Sequence, residues 1–158
     1  MITAQINPTP TIAKLDAMKE RLRAGVRAGV ENDSARLLSL VQAKLSGEVL
    51  QARSGALLRS IRAETNEDAD GFGARVFSDG SVPYARIQEF GGRVNIPALA
   101  PVHAKAFAFA YGGRMIFVKS VAAHVVELPE RSYLRSALAE FADTFTADIQ
   151  RVVADALS

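Results

Sequence analysis

A long stretch of helical periodicity near the N-terminus constrains the fold of this 158-residue chain more than any other feature. Apolar residues recur every three or four positions in two runs, Ile12–Val30 and Leu37–Leu45, which is the pattern of an amphipathic helix. The segment Glu31–Ser34 between them either caps a second helix or lies on the solvated face of a continuous one. A continuous helix over residues 11–46 would be about 50 Å long, longer than a small domain is wide. Such a helix is expected to need partners beyond its own core.

The middle of the chain predicts β-structure, beginning with a hairpin. Two short β-compatible runs, Leu58–Ala63 and Gly73–Ser78, flank the acidic segment Glu64–Gly71. This arrangement is typical of two strands joined by a solvated turn.

A second hairpin is indicated further along the chain. Ala106–Tyr111 alternates large and small side chains, Gly112-Gly113 follows, and Met115–Val118 is again apolar. Two β runs around a Gly-Gly dipeptide predict a hairpin. We expect this hairpin, Phe107–Val118, to belong to the core sheet.

Helical signals frame the second hairpin. Val82–Phe90 spaces its apolar residues three apart between an early proline and Gly91-Gly92, so a short helix is expected near residues 83–90. From Leu134 to Val153 the steps of three and four return, which predicts a final helix from about Ser132 to Ala156.

Helix, sheet region and helix make an α+β plan. We expect a single domain over residues 1–158, in which long N-terminal and C-terminal helices pack on a small, mostly antiparallel β-sheet. Its parts are an N-terminal arm over 1–10, a helical region over 11–46, a β-rich region over 54–128 and a C-terminal helix over 131–157.

Composition excludes several classes of chemistry. The chain has no cysteine, which removes disulfides, thiol nucleophiles and cysteine-ligated zinc, and only two histidines, His103 and His124. Neither histidine stands at metal-ligand spacing from an acidic residue, and no serine lies in a nucleophile-elbow pattern. No apolar run approaches the roughly 20 residues that span a bilayer, and the N-terminus lacks the pattern of a secretory signal. We therefore expect no enzyme, no cofactor, no metal and no membrane contact.

Two motifs in the first hairpin resemble ligand-binding loops but are incomplete. Gly71-Phe72-Gly73 opens like a dinucleotide fingerprint, yet Val76 stands where the third glycine belongs, so a turn is expected. Asp68-x-Asp70-Gly71 resembles the start of a calcium loop but lacks the downstream ligands. We expect the acidic cluster to be a solvated hairpin tip; it comprises Glu64, Glu67, Asp68 and Asp70.

The net charge of +2 hides four alternating blocks, with net charges of +4 over 1–60, −3 over 61–90, +4 over 91–136 and −3 over 137–158. Opposite blocks either neutralise each other within one fold or meet on neighbouring copies, and the pattern does not choose between the two. Arginine outnumbers lysine after Gly55 and suits fixed ion pairs at interfaces. The aromatic residues lie in runs patterned for a core, which disfavours stacking on nucleic-acid bases.

Four segments, in order, resemble a family of tailed-bacteriophage neck proteins, called tail-completion, head–tail joining or minor tail proteins. They are Ser54–Ile61, Tyr84–Gly92, the strand beginning Lys105-Ala106-Phe107 with its Gly-Gly hairpin to Lys119, and the helix start Pro129–Leu138. The resemblance covers the chain from about Ser54 to Leu138.

The resemblance implies a homo-oligomer, a six-fold ring of small α+β subunits between the head connector and the tail tube. Genomic DNA would pass through its axial channel without sequence-specific binding. The implied partners are the head connector or adaptor and the tail-tube proteins, in the neck of a virion assembled in the host cytoplasm. No catalytic residue is implied. The motif positions are candidates for structural or interface roles: Ser54, Gly55, Leu57, Tyr84, Ala85, Glu89, Phe90, Gly91, Gly92, Arg131, Tyr133, Leu134 and Arg135.

Within these motifs, Tyr84–Arg93 is expected to form a structural corner, with Glu89–Gly92 a capped helix stop rather than a direct interface. Two functional alternatives stay open. One is a tail terminator, the ring that ends growth of the tail tube. The other, from a different class, is a DNA-contacting or regulatory module.

Overall fold

The computed structural model describes residues 9–47, 55–69, 71–102 and 105–157. It contains both helices and antiparallel sheets, which confirms the α+β class. Its residues form two compact units, unit 1 (Met1–Ala85 with Ser132–Ser158) and unit 2 (Arg86–Arg131). Whether the chain is a single domain stays a prediction.

The first helix of unit 1, α1, runs without a break from Thr9 to Leu45, 37 residues and about 55 Å. The interruption at Glu31–Ser34 is therefore neither a cap nor wholly solvated, because Asp33 and Ser34 are buried. The helix ends just before Gly47, whose φ of 148° is one that glycine adopts readily.

The last helix, α4 (Leu134–Leu157), lies antiparallel beside α1, as three points of contact show. Lys44 pairs with Glu140 at one end of the contact, and Arg36 pairs with Asp148 further along. At the far end, a Cβ on Gly25 would lie 3.0 Å from Val152 Cγ1. The absence of a side chain at Gly25 thus permits the close approach of the two helices.

The first predicted hairpin is confirmed, with two corrections. Its strands are β1 (Ile61–Asp68) and β2 (Gly71–Ser78), paired antiparallel. The predicted strand start at Leu58 is wrong, since residues 56–60 form a short helix, α2 (Ala56–Ser60). The acidic residues Glu64–Asp68 lie in β1 rather than in a turn, because arginines from β2 and α1 neutralise two of them.

The core of unit 1 lies where the C-terminal part of α1 meets α2, β1 and the start of α4. Tyr133 is 1% exposed, and its hydroxyl lies 3.4 Å from the main-chain oxygen of Ala85, to which it donates. The other buried members of this core are Val41, Leu45, Leu57, Ile61, Val82, Ala85 and Ala137.

Unit 2 contains two separate two-stranded sheets. The short helix α3 (Ala85–Phe90) is close to the predicted one and leads into β3 (Gly92–Ile96), which pairs antiparallel with β6 (His124–Leu128). The predicted second hairpin is confirmed as β4 (Phe107–Tyr111) and β5 (Arg114–Val118), joined through Gly112-Gly113. Both glycines have positive φ, 57° and 76°, as the tight primed hairpin turn requires.

The expectation that this second hairpin belongs to the core sheet is wrong. β4 and β5 pair only with each other, and of their residues only Phe107 and Val118 are even half-buried. Alternation of large and small side chains fixes which residues share a face, but it does not ensure that another layer covers that face. Within the described residues, no helix is long and apolar enough to cross a membrane.

Candidate functional site: two uncovered apolar surfaces

Several of the motif residues singled out in the sequence serve packing in unit 1. Leu57, Ala85 and Tyr133 are buried together in the core, and Leu134 is half-buried against it. Gly55 precedes α2 with φ of 66°, and its carbonyl accepts a hydrogen bond from the Arg59 amide at 3.0 Å. These positions hold the end of α1, α2 and the start of α4 together.

A second group of motif residues shapes the turn from α3 into β3 in unit 2. The amide of Gly91 donates to the Ile87 carbonyl at 2.9 Å, and φ of 66° ends the helix. A Cβ on Gly91 would lie 2.7 Å from the Glu130 backbone nitrogen, so only glycine fits. The Arg131 amide donates to Gln88 O at 2.9 Å. The turn is a built structural corner, in which Glu89 is buried and Gly92 begins β3.

The remaining motif residues do not converge on one place that the structure describes. Tyr84 and Phe90 are 42% and 55% exposed, and Arg135 is exposed on α4. Ser54, like His103, lies outside the described residues. His124 is exposed, with Nδ1 2.9 Å from the Ala122 carbonyl.

The two incomplete ligand motifs lie in regular β-structure. Gly71-Phe72-Gly73 is part of strand β2 and not the expected turn, so no helix N-terminus follows it to bind a phosphate. Among the described residues no group of three or more histidine, aspartate or glutamate side chains is arranged to hold a metal ion.

A charge network that the sequence did not reveal joins α1 to α4. The Arg36 guanidinium contacts Asp33 Oδ1 at 3.2 Å and also binds Asp148, whose other oxygen accepts from Arg151 at 2.7 Å. Asp33 is 3% exposed, and its Oδ2 has no hydrogen-bond partner in the part of the chain that the structure describes. Asp33 lies on the same side of α1 as Val30, Ser34 and Leu37. A charged residue on the apolar side of a predicted helix was therefore the sequence signal that could have indicated this network.

The two carboxyl groups of this network have pKa values shifted in opposite directions. Burial raises the pKa of Asp33, and the neighbouring Asp148 carboxylate raises it further while Arg36 opposes the shift. The hydrogen bond from Arg36 lowers the pKa of Asp148. When Asp33 is protonated, its carboxyl group can donate that proton in a hydrogen bond to the Asp148 carboxylate. Two neighbouring carboxylates repel each other, so one of the pair has a raised pKa.

A cavity of about 320 Å³ opens beside this network, between α1, β2 and α4. Its walls are mainly apolar, including Phe72, Leu138 and Phe141. The hydroxyl of Ser34, at its edge, donates to the Glu31 carbonyl at 2.8 Å. The hydroxyl is thus committed to a local hydrogen bond, and the adjacent Asp33 also lines the cavity.

The N-terminal half of α1 also holds the first hairpin by its charges. Arg23 donates to Glu67 at 2.7 and 3.0 Å, Arg27 binds the other oxygen of Glu67, and both guanidinium groups lie over the Phe72 ring. The hydrogen bond from Arg23 lowers the pKa of Glu67. The positive first block thus meets both negative blocks within the chain, at Glu67 and on α4.

The third block, which is positive, is neutralised least. Between Glu89 and Glu127 the sequence has no acidic residue. Arg93 pairs with Glu127 at 2.8 Å. The cations around the second hairpin, Lys105, Arg114 and Lys119, are exposed and form no ion pair with any residue that the structure describes. Ion pairs among the described residues therefore leave these three cations without an acidic partner, as they also leave Lys14 and Lys19 at the start of α1.

The same hairpin carries the first uncovered apolar surface. Phe109, Tyr111 and Phe117 are 48%, 76% and 68% exposed, and Met115 and Ile116 are also exposed. The cross-strand pairs Phe107–Val118, Phe109–Ile116 and Tyr111–Arg114 lie on one face, which we call the hairpin face. Met115 and Phe117 lie on the other face of the same hairpin, so both of its faces carry exposed apolar side chains. Exposed aromatic, methionine and arginine side chains are the composition of interface cores.

The second uncovered surface is the start of α1. Residues 9–17 are all exposed, and the apolar period continues through them with Ile12 and Leu15 at 54% and 58% exposure. Met18 and Leu22 extend the line and are half-buried. We call Ile12, Leu15, Met18 and Leu22 the α1 stripe.

Comparison of the chain with protein-family models, with curated proteins and with solved structures finds no match. The geometry and the sequence motifs are therefore the basis of a functional assignment.

Proposed function

We propose that this chain is a structural subunit of a tailed-phage neck, a tail-completion or head–tail joining ring between the head connector and the tail tube. One observation carries the proposal: apolar surface is left uncovered on two separate elements. Among the described residues, fifteen large hydrophobic side chains are exposed against eleven hydrophobic residues that are buried. Contiguous exposed apolar patches mark interaction sites in folded proteins, so a subunit that is completed by assembly accounts for them.

The kind of assembly comes from the sequence resemblance. Its motif residues Leu57, Ala85 and Tyr133 are core positions, and Gly91 closes a turn. Residues with such roles support a shared subunit fold rather than a shared ligand site. We accordingly propose no catalysis and no cofactor, a hexameric ring in the virion neck built in the host cytoplasm, and a channel that passes DNA without reading its sequence.

Disruption of the gene in the phage that encodes the chain tests this role. Filled heads unattached to tails of normal length are the expected result for a joining protein. Overlong tails would instead assign the chain as a tail terminator. Normal, infectious particles would contradict both.

One observation favours a candidate of another class, a DNA-contacting module. Phe109, Tyr111 and Phe117 are exposed on a hairpin whose cations have no ion-pair partner among the described residues, so the argument that these aromatics are buried in a core is wrong. Single-stranded nucleic acid is bound by such cations and stacking rings. Met115 and Ile116 share the hairpin and do not stack on bases, so we rank this second. A gel shift titrated with salt decides: binding lost steeply with salt supports it, and no binding at low salt rejects it.

A further inference from the structure

An apolar groove runs along α1 in unit 1, between β2 and α4. Both β2 and α4 pack on α1, and the cavity of about 320 Å³ between them adjoins a second cavity of about 290 Å³. The two cavities share Leu37, Ala74 and Leu138 in their walls. From Val30 to Val41, α1 forms a floor about 16 Å long, so the groove is about as long as a strand of five residues.

The wall on the β2 side is the free edge of that strand. Neighbouring side chains of a strand point to opposite faces, yet the consecutive residues 72–76 all line the groove, as they do where the edge of the strand forms the wall. Among the described strands β2 pairs only with β1, and no residue of β1 lines either cavity. The groove therefore lies on the side of β2 that no described strand covers.

The register determines which backbone groups of β2 point toward the groove. The Asp79 amide donates to the Ser60 carbonyl at 2.9 Å, directly beside the last pair of the ladder. Hydrogen-bonded and non-hydrogen-bonded pairs alternate in an antiparallel ladder, so every second residue counted back from Ser78 directs its N–H and C=O groups away from β1. Three of these residues line the groove: Phe72, Ala74 and Val76. Their amides form no hydrogen bond within the described part of the chain.

The accessible charge of the groove is positive and lies at one end. Arg75 and Arg135 line the cavity that reaches Val41. Arg75 binds Glu64 at 2.6 Å, but the two side chains are 71% and 53% exposed, and such exposed pairs are weak. Asp33 lines the other cavity and is only 3% exposed. A carboxylate is therefore the charge that complements the end of the groove at the two arginines.

We propose that the groove binds an extended segment of a partner protein, which pairs with β2 as a third strand and places a carboxylate beside Arg75 and Arg135. A strand fits because it offers a row of backbone donors and acceptors to the free edge, whereas a helix uses those groups internally. Its alternate apolar side chains would cover the floor of the groove. The site goes beyond the proposed neck role, which does not require it.

A synthetic peptide, acetyl-Val-Thr-Val-Thr-Val-Glu-amide, is the probe. Its valines share one face and its glutamate supplies the carboxylate. The peptide is titrated into the full chain while amide hydrogen exchange is followed by NMR. We expect exchange of the outward amides of Phe72, Ala74 and Val76 to slow at least about tenfold at saturation, and those of β4 and β5 to stay unchanged. Unchanged exchange in β2 at millimolar peptide would overturn the proposal.

The substitution Ala74→Pro removes one outward N–H. Proline is tolerated on a strand edge where the N–H does not serve the ladder, so the variant is expected to fold and to lose the peptide-dependent protection. Ala74→Ser is the matched control, because it keeps the N–H and nearly the same size, and it should bind the peptide as wild type does. Equal protection in the two variants would contradict strand addition.

Methylation of the peptide tests the same hydrogen bonds without altering the protein. One isomer carries N-methyl groups on its three valines, the other on its remaining three residues, so each isomer has one blocked edge. One isomer should bind at least about tenfold more weakly than the other, because a strand uses a single edge to pair with β2. Equal affinities of the two isomers would show that the peptide binds by apolar contact alone and would overturn the proposal.

The charge and the identity of the occupant are tested separately. Replacing the glutamate of the peptide by lysine should weaken binding to wild type, and Arg135→Glu should reduce or reverse that preference; an equal preference in both proteins would remove the carboxylate from the proposal. A second copy of the chain is the competing occupant. Protection of the outward β2 amides that rises with protein concentration in the absence of peptide, and is lost in Ala74→Pro, would assign the groove to that second copy and overturn the assignment to a partner protein.

Discussion

Asp33 is the residue whose setting departs most from ordinary helix chemistry. It is buried at the centre of α1, one oxygen is held by Arg36, and the other has no partner among the described residues. Burial and Asp148 together raise the pKa of Asp33, so the folded state disfavours the ionised form of this group relative to the unfolded chain. A carboxyl of this kind contributes unfavourably when it is ionised, and its contribution improves as the pH falls through the raised pKa.

The substitution Asp33→Asn tests this. An amide keeps the size of the side chain, removes the buried charge and can donate to Asp148, so the variant is expected to unfold at higher denaturant concentration than wild type at neutral pH. The difference should shrink as the pH falls toward the ordinary aspartate pKa of 3.8, because wild-type Asp33 is then protonated as well. Urea unfolding across that pH range measures it; a difference that does not vary with pH would contradict the raised pKa.

Gly91 is a second residue with a specific prediction. Gly91→Ala would put a Cβ 2.7 Å from the Glu130 backbone nitrogen at a φ of 66°, so it adds a clash with rigid backbone to the cost of the left-handed conformation. Gly112→Ala is the matched control, with φ of 57° and nothing within 4 Å. The control should cost about 1–2 kcal/mol, and Gly91→Ala clearly more. Chemical denaturation compares them, and equal losses would show that the corner accommodates a side chain.

At the scale of elements, two glycines determine how α1 meets α4. A Cβ on Gly29 would be in ordinary contact, 3.5 Å from Ile149 and Val152, whereas one on Gly25 would be 3.0 Å from Val152. Gly29→Ala should stabilise the protein by about 0.5–1 kcal/mol through helix propensity, and Gly25→Ala by less because Val152 must shift. Thermal unfolding of the two variants checks this order. A larger gain at Gly25 would contradict the close approach of the helices.

Local patterns predicted which elements form but not what covers them. The apolar period of α1 and α4 and the Gly-Gly turn of the second hairpin act over a few residues, and the structure has all three. The helix at Ala56–Ser60 was missed because its five residues are too few to establish a period. Exposure of Tyr111 and burial of Asp33 depend on residues distant in sequence, so no local pattern reports them.

The features of the candidate site likewise divide into those that the sequence predicted and those that it did not. Tyr133 was singled out through the family resemblance, and Gly91 because a Gly-Gly pair follows the predicted short helix. The exposure of the two uncovered apolar surfaces was not predicted from the sequence. Apolar periodicity is the same whether a face is buried in a core or exposed on the surface.

At the scale of the whole molecule, many charges are paired within the chain while apolar surface on two elements is exposed. Four cations of the first block pair with Glu67 or with α4, whereas the cations of the second hairpin have no ion-pair partner in the part of the chain that the structure describes.

The central claim is that the chain is a ring component of a phage neck. Electron cryo-microscopy of particles that carry a tagged copy of the chain tests this most directly, with the tag located by difference density. The account predicts density for six copies in one ring between the head connector and the tail tube. Tag density elsewhere in the particle, or purified particles that lack the chain, would contradict it.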